Sequence, residues 1–243
     1  MENKDNRNDI KRRDLMKGLA AVPLLGLFSA GAAAKYMYDQ DIKKSILKEL
    51  DIETAVPPPT GSMSGDPIRI GVIGYGIRGE QLVRALGYAT PQWKDFMKER
   101  ALANSKDTRL RDFLEQENLN IKITAVCDAF SRRREWAAEA GTEDGNKPKI
   151  YQDYKRLLED PNVDAVVIST PDHWHAPMSI DAINAGKHVY VEKCMTHKVK
   201  ETYDLYDAVK NNDIVFQLGH QHRQTQSFLT AQEIIRKNVL GHI

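Results

Sequence analysis

Residues 68–79, Ile-Arg-Ile-Gly-Val-Ile-Gly-Tyr-Gly-Ile-Arg-Gly, join an apolar run to the pattern G-x-G-x-x-G, and a helical pattern follows. Gly74 and Gly76 carry no Cβ, so a pyrophosphate can approach the backbone at the positive N-terminus of the next helix. Gly79 allows that helix to pack closely on the strand. The stretch predicts a dinucleotide site, although glycines that only form a tight βα turn would give the same pattern. The predicted contacts are Gly74, Tyr75, Gly76, Ile77, Arg78 and Gly79.

The composition is that of a soluble globular protein with one large or two small domains. The chain has 243 residues, of which 41% are hydrophobic and 28% charged. A formal net charge of +1 gives no bulk electrostatic reason to expect a nucleic acid partner. The basic cluster Arg132-Arg133-Arg134 is interpreted as a solvated helix face rather than an anion site. Only two cysteines are present, which is too few for a disulfide scaffold.

The first 34 residues have the pattern of a twin-arginine export signal. Lys11-Arg12-Arg13 precedes an uncharged stretch, residues 18–34, that ends in Ala32-Ala33-Ala34, a site of the A-x-A kind. The apolar stretch is short for a membrane span. We therefore expect a periplasmic protein without stable membrane insertion after signal cleavage. An uncleaved N-terminal anchor and a chance basic and apolar segment are the alternatives.

The remaining chain divides into a linker, one domain and a final helix. Residues 35–66 contain a charged helical segment and a Pro/Gly/Ser-rich linker, residues 67–226 form the predicted dinucleotide-binding domain, and residues 227–243 a connecting helix. Short β-rich runs alternate with helical patterns, which predicts an α/β fold with a doubly wound parallel sheet of order 3-2-1-4-5-6, the NAD(P)-binding Rossmann fold. The predicted strands are 68–73, 121–127, a short one closed by Tyr151, 165–169, 188–192 and 214–218.

Helices are expected from near Gly79, from Ala176 to Ala185 with Gly186 as C-cap, from Lys200 to Asn211, and from Ser227 to Asn238. The interval Tyr88–Asn120 is longer than a simple crossover needs, and its aromatic and apolar residues predict an inserted helical hairpin, for packing or as a lid. The ends of strands two and five place Cys127 and Cys194 three inter-strand spacings apart, roughly 14 Å. A disulfide is excluded at that distance.

Asp128 directly follows strand two, where a carboxylate accepts both hydroxyls of the adenosine ribose and would repel a 2′-phosphate. NAD is therefore favoured over NADP. The interval from the glycines is longer than usual because of the insertion, and Arg132 or Arg133 could still hold a phosphate.

Polar residues follow strands four and five, at the sheet edge where ligands of open α/β folds bind. Lys193 can donate to a substrate hydroxyl and take part in acid or base chemistry, or it pairs structurally with Glu192. His173-x-His175 and His220-x-His222 could suggest zinc, but no carboxylate or Cys cluster completes a tetrahedral set, so no metal is expected. Stacking and hydrogen bonding around a nicotinamide ribose is the preferred interpretation of these histidines.

These motifs together resemble the Gfo/Idh/MocA oxidoreductases, over roughly residues 68–243. The residues are the three glycines, Cys127-Asp128, Thr170-Pro171-Asp172-His173-Trp174-His175 and Glu192-Lys193. The twin-arginine pattern and Trp174-His175 look most like the exported branch, which includes NAD-dependent glycosidases of the α-N-acetylgalactosaminidase type.

The resemblance implies that Thr170, Pro171 and His175 line the nicotinamide side of the cofactor, and that Lys193 matches the lysine of the family's E-K-P motif. With these it implies a cofactor site that includes His173, Trp174 and Glu192, and catalytic roles for Lys193 and His175. Residues 217–223 match the family segment near the substrate. Cys194 stands where the family usually has proline. This departure affects the expected local turn and therefore the direction of the Lys193 side chain.

The expected function is hydride transfer between a sugar or sugar derivative and the nicotinamide, with Lys193 assisting the hydroxyl proton. One alternative is a glycosidase that uses transient oxidation at C3, elimination, water addition and re-reduction. Another is a dinucleotide-binding protein without turnover. Family members continue past Asn238-Val239-Leu240-Gly241 into a second α/β domain that supplies most substrate contacts and the common oligomer interface. That domain is expected to be absent here, which leaves homo-oligomerisation open.

Overall fold

The computed structural model describes residues 35, 37, 38, 41, 48, 65–221, 223 and 225–241. The predicted signal segment, residues 1–34, lies outside the described residues, as does most of the linker. In the predicted helical segment, Asp41 and Lys48 have helical backbone. Within the described part of the chain, no helix combines the length and apolarity needed to cross a membrane.

The chain divides into two compact units. One comprises Pro59–Gln221 and contains the sheet. In the other, which comprises Met1–Pro58 and His222–Ile243, the clearest described element is a C-terminal helix, α8, Gln226–Arg236.

Six parallel strands form one sheet in the order β3-β2-β1-β4-β5-β6, as predicted. The strands are β1 Ile68–Ile73, β2 Ile121–Cys127, β3 Lys149–Tyr151, β4 Ala165–Ile168, β5 His188–Glu192 and β6 Phe216–Gly219. The helices of this unit are α1 Ile77–Ala85, α2 Pro91–Ala103, α3 Arg109–Leu114, α4 Ser131–Ala140, α5 Tyr154–Leu158, α6 His175–Asn184 and α7 Val199–Lys210. A 3-10 turn, Asp172–Trp174, precedes α6.

Successive side chains of the central strands point to opposite sides of the sheet, and helices cover both sides. Val72 and Val167 pack with Val83 of α1 and with the alanines of α4. Ile73 and Ile168 lie in the other core, together with residues of α5, α6 and α7. This confirms the doubly wound architecture.

Three predicted boundaries are wrong by two residues or fewer for identifiable reasons. α1 begins at Ile77 rather than near Gly79, because the Gly76 carbonyl already accepts the Glu80 amide at 2.9 Å. β6 begins at Phe216 rather than Ile214, whose amide bonds to Asn212 O in a turn. Gly186 follows the C-cap residue of α6 rather than forming it, and adopts a positive φ of 72°. The other edges of β4, α6, α7 and α8 shift by one or two residues.

The insertion between α1 and β2 is a helical hairpin, as predicted. Trp93 of α2 and Phe113 of α3 meet edge to face, with ring centroids 5.1 Å apart. Its two ends are fastened to the sheet unit, since Tyr88 Oη donates to Ile121 O at 2.9 Å and Gln116 Nε2 donates to Arg84 O at 3.1 Å.

Candidate functional site

The turns after β1, β4 and β5 share the carboxyl edge of the sheet. Because β1 and β4 are neighbours although β2 and β3 lie between them in sequence, the chain reverses direction around the sheet at this point. A crevice at such a switch point is where open α/β sheets bind ligands. The predicted site residues of all three turns therefore belong to one edge.

The glycine turn after β1 leaves no room for side chains. Gly74 has a φ of +90°, and a Cβ there would lie 2.9 Å from backbone atoms of Ser169 and Thr170. A Cβ on Gly79 would lie 2.4 Å from Gly74 O and 2.9 Å from Ser169 Oγ. Ser169 Oγ in turn donates to Gly74 O at 2.8 Å. These approaches hold the start of α1 against the ends of β1 and β4, which forms the cradle that a pyrophosphate requires.

Asp128 is bound to the glycine turn despite its distance in sequence. Its Oδ2 accepts the Tyr75 amide at 2.7 Å and its Oδ1 accepts the Phe130 amide at 2.8 Å. A carboxylate offers about four lone-pair positions, so about two remain for the two hydroxyls of a ribose. The two amides thus hold the Asp128 carboxylate beside the glycine turn and leave lone pairs that can accept further hydrogen bonds.

The three arginines that follow Asp128 have different environments. Arg134 Nη1 donates to Asp128 O at 2.6 Å, and Arg132 lies over the Trp136 ring at 5.2 Å. Arg133 is exposed, and its Nη1 lies 3.4 Å from the position that a Cβ on Gly76 would take. No ion pair joins Arg133 to another residue that the structure describes. Arg132 and Arg133 are exposed, as the interpretation of a solvated helix face predicts, whereas Arg134 is half-buried and binds the turn that precedes its helix.

His175 links the turns after β4 and β5. Its ring is 1% exposed, with Nδ1 2.6 Å from Cys194 O and Nε2 2.8 Å from Thr170 O. Because both nitrogens meet backbone carbonyls, the ring positions these turns and does not present a free nitrogen for proton transfer. The catalytic role predicted for His175 lacks geometric support here.

Lys193 is exposed after β5, and Cys194 beside it is an exposed free thiol. The peptide bond between them is cis. The alternative pairing of the Lys193 side chain with Glu192 does not form, since the 4% exposed Glu192 binds Arg78 Nε at 2.7 Å. The Lys193 amine therefore remains available to a ligand at this edge.

His173 and Trp174 occupy the exposed 3-10 turn, with ring centroids 5.9 Å apart. Trp174 also meets Tyr154 edge to face at 6.5 Å, and Asp172 Oδ2 lies 3.5 Å from His197 Nε2. Over the residues that the structure describes, no group of three His, Cys, Asp or Glu side chains could hold a metal. His222 of the second histidine pair is outside the described residues.

Cys127, at the end of β2, is ruled out as a nucleophile by its environment. Burial, with a smaller contribution from the neighbouring Asp128 charge, raises the pKa of its thiol to about 11. The thiol therefore stays protonated and packs as a small apolar group.

Three residues make contacts at this edge that were not predicted, although the sequence placed all three in segments at or near the expected site. Ser169 bonds to the glycine turn, Tyr190 Oη donates to Glu192 at 3.3 Å, and Gly219 packs against both Tyr190 and Glu192. Ser169 could have been found from the strand order, since β4 adjoins β1. The other two depend on side-chain directions at the β5–β6 pair, for which the sequence carries no signal.

The fold and this carboxyl-edge site define a dinucleotide-binding Rossmann protein. The model of the Gfo/Idh/MocA family, described as an oxidoreductase family with an NAD-binding Rossmann fold, matches residues 68–220. The chain therefore belongs to that family, which confirms the resemblance and the fold class.

Relatives include dehydrogenases and a hydrolase. The levoglucosan dehydrogenase of Pseudarthrobacter phenanthrenivorans is 35% identical over 45% of this chain and 28% of that protein. Glycosyl hydrolase family 109 protein 1 of Shewanella sp. strain ANA-3 is 29% identical over 51% of this chain and 28% of that protein. The crystal structure of myo-inositol 2-dehydrogenase from Lactobacillus plantarum superimposes with a TM-score of 0.55 at 27% identity, over 73% of this chain and 43% of that chain. The chain thus corresponds to less than half the length of these relatives.

Proposed function

We propose that this chain is the cofactor-binding part of an exported NAD(P)-dependent oxidoreductase that acts on a sugar or sugar derivative. The observation that carries the proposal is the Gly74–Gly79 cradle with Asp128 bound beside it and Lys193 exposed at the same sheet edge. Family membership supports the oxidoreductase class. The names of the relatives, which include a levoglucosan and an inositol dehydrogenase, support a polyol or sugar substrate.

The residues present fit a nicotinamide dinucleotide. The cradle leaves space where a Cβ would otherwise meet the backbone, and the amides at the start of α1 favour a pyrophosphate. Asp128 would hold the adenosine ribose, and Thr170, Pro171, His173 and Trp174 would flank the nicotinamide half. When bound, the nicotinamide supplies a hydride acceptor.

Lys193 is the residue of this chain proposed to handle the proton. Its ammonium can donate a hydrogen bond to a substrate hydroxyl, and as the free amine it can accept the hydroxyl proton during oxidation. Its exposure after β5 leaves it free to do so.

We propose NAD as the preferred cofactor. The acceptor groups of Asp128 suit two ribose hydroxyls, and its charge opposes a 2′-phosphate. The exposed guanidinium of Arg133 near Gly76 supports some tolerance of NADP.

Export is proposed from the sequence of residues 1–34, which have the basic, apolar and small-residue regions of a twin-arginine signal. A periplasmic location, with or without an N-terminal anchor, follows from that proposal.

A glycosidase is the second candidate, favoured by the similarity to the family 109 hydrolase. In that reaction, oxidation at C3 acidifies the C2 hydrogen, elimination releases the aglycone, and water addition and re-reduction complete the cycle. Product analysis separates the two candidates, because only a dehydrogenase gives net oxidation of the sugar.

Mass spectrometry of nucleotide released from protein purified without added cofactor tests the proposal. Asp128→Ala removes the ribose contact, and Asp213→Ala changes an exposed aspartate elsewhere as control. We expect NAD in the wild type and the control and much less in Asp128→Ala. Absence of released nucleotide together with no binding of added NAD or NADP would overturn the proposal.

A further inference from the structure

Arg78 and Glu192 form an ion pair that joins two parts of the site. Arg78 is the second residue of α1, immediately behind the glycine turn, and its Nε donates to Glu192 Oε1 at 2.7 Å. Glu192 ends β5 and has a side chain only 5% exposed, whereas that of Arg78 is 35% exposed. The two residues are 114 positions apart in sequence.

This pair lies at the carboxyl edge of the sheet, at the ends of two different elements. β5 is separated from β1 by β4, so the pair joins the start of α1 to a strand two positions away from β1 in the sheet. The turn after β4 lies between the turns after β1 and β5 along this edge. A dinucleotide that extends from the glycine turn towards β5 would therefore approach this pair.

Three hydrogen-bond donors fix the position of the Glu192 carboxylate, and Arg78 is one of them. Oε1 also accepts the Tyr190 hydroxyl at 3.3 Å, and Oε2 accepts the Lys193 amide at 3.3 Å. A Cβ on Gly219 would lie 2.4 Å from Tyr190 Oη and 3.0 Å from Glu192 Oε1, so the neighbouring strand leaves space for this arrangement and for nothing larger. The carboxylate therefore connects Arg78 directly to the backbone of the proposed proton-transfer lysine.

Arg78 keeps donors free for an anion. Of the five N–H groups of a guanidinium, Nε is bound to Glu192 and one on Nη1 to Gln81 at 3.1 Å. A further donor is taken up by the Tyr190 hydroxyl, which lies beside the Arg78 guanidinium. Two N–H groups remain, on a side chain that is 35% exposed. A cation at a helix N-terminus opposes the helix dipole, so Glu192 compensates an otherwise unfavourable placement, and an incoming diphosphate would compensate it further.

We propose that Arg78 is a positioning residue that binds the cofactor diphosphate with its free Nη donors and, through Glu192, orients Lys193 when the cofactor is bound. This inference rests on the proposed function. It assigns Arg78 and Glu192 one joint role instead of two independent cofactor contacts.

The test combines NAD affinity with the chemical reactivity of Lys193. Wild type, Arg78→Met, Arg78→Lys, Glu192→Gln and the Arg78→Met/Glu192→Gln double variant are titrated with NAD by calorimetry. Each protein is then acetylated with limiting reagent, with and without saturating NAD, and peptides are quantified by mass spectrometry. Exposed Lys147 serves as the internal reference, and Arg111→Met, which removes an exposed helical pair, is the matched control.

We expect NAD to slow acetylation of Lys193 relative to Lys147 in the wild type and in the control. Arg78→Met should raise the dissociation constant about tenfold, the loss of one charge-assisted contact. At saturating NAD it should also lose the protection of Lys193. Glu192→Gln should reduce the protection too, and the double variant should be no worse than Arg78→Met, because the two residues act as a unit. Arg78→Lys, which keeps the charge but not the fork, should not restore protection.

Unchanged protection of Lys193 in Arg78→Met and Arg78→Lys at saturating NAD would overturn the inference, as would strictly additive effects in the double variant. Failure of the wild type itself to bind NAD or NADP would instead overturn the proposed function. Thermal unfolding of each variant identifies loss of fold, and Arg78→Lys provides the decisive comparison if Arg78→Met unfolds.

Discussion

Replacement of Gly79 by alanine tests the close approach of α1 to the sheet. Gly79 lies inside a helix with buried surroundings, where helix propensity alone favours alanine over glycine by about 1 kcal/mol. The added Cβ would lie 2.4 Å from Gly74 O and 2.9 Å from Ser169 Oγ. Propensity and packing therefore predict opposite signs for the change in stability.

Packing should win. The nearest atom is a backbone carbonyl fixed in the glycine turn, which cannot rotate away as a flexible side chain would. Overpacking of a rigid site costs about 1–3 kcal/mol, and displacement of the bond from Ser169 to Gly74 removes about 1 kcal/mol more. Set against the propensity gain, the net loss of unfolding free energy is about 1–3 kcal/mol. For a unit of this size that lowers Tm by about 2–4 °C per kcal/mol.

Thermal and urea unfolding followed by circular dichroism, together with NAD titration, measure both consequences. Gly145→Ala is the control, because Gly145 has a positive φ of 79° but no atom within 4 Å of its Cβ position. The control should lose some stability through backbone strain and keep NAD affinity. A Gly79→Ala variant that is more stable than the wild type and binds NAD normally would refute the close approach.

Three further predictions concern side chains of the same unit. Arg133→Ala should weaken NADP binding more than NAD binding in paired titrations; equal effects on both cofactors would contradict a 2′-phosphate contact. His175→Leu should destabilise the fold and weaken NAD binding, since it removes the ring nitrogens that lie 2.6 Å and 2.8 Å from carbonyl oxygens of two turns, whereas loss of stability alone would leave His175 no part in the site. The pKa of Asp164 is lowered by its hydrogen bonds to Arg69, so the pair stabilises the folded state above the ordinary aspartate pKa of about 3.9 and this stabilisation is lost as pH falls further. Arg69→Met should therefore reduce the fall in urea midpoint between pH 5 and pH 2, about the range in which the carboxylate titrates. The reduction should be small, because both side chains are about a third or more exposed. An unchanged slope of urea midpoint against pH would contradict a stabilising role of the Arg69–Asp164 pair.

The strands and their order could be predicted because each central strand is a short apolar run bounded by turn residues. Ala165–Ile168 is apolar throughout, as a strand covered on both faces must be. The glycine turn and Asp128 could be predicted for the same kind of reason, since each follows a strand at the carboxyl edge.

The pairings within the site could not be predicted from sequence. Arg78 and Glu192 were each assigned to the cofactor, because nothing in a linear pattern shows that two residues 114 positions apart neutralise each other. His175 was assigned to the cofactor and to catalysis, but its direction depends on the first turn of α6 and on the path of the chain after β5. Such contacts depend on rotamers and on the spacing of strands, which periodicity does not encode.

Hydrogen bonds at both ends of the α2–α3 hairpin allow the length of the hairpin to change without a change in the positions of the neighbouring strands. Tyr88 and Gln116 hold the entry and exit of the insertion beside α1 and β2, so residues can be gained or lost between them while the strands keep their register. The cost of closing a loop grows only slowly with its length. Asp128 consequently reaches the Tyr75 amide at 2.7 Å although 53 positions separate them. The hydrogen-bonded register of β1 and β2, and not the number of residues between them, therefore determines where Asp128 meets the glycine turn.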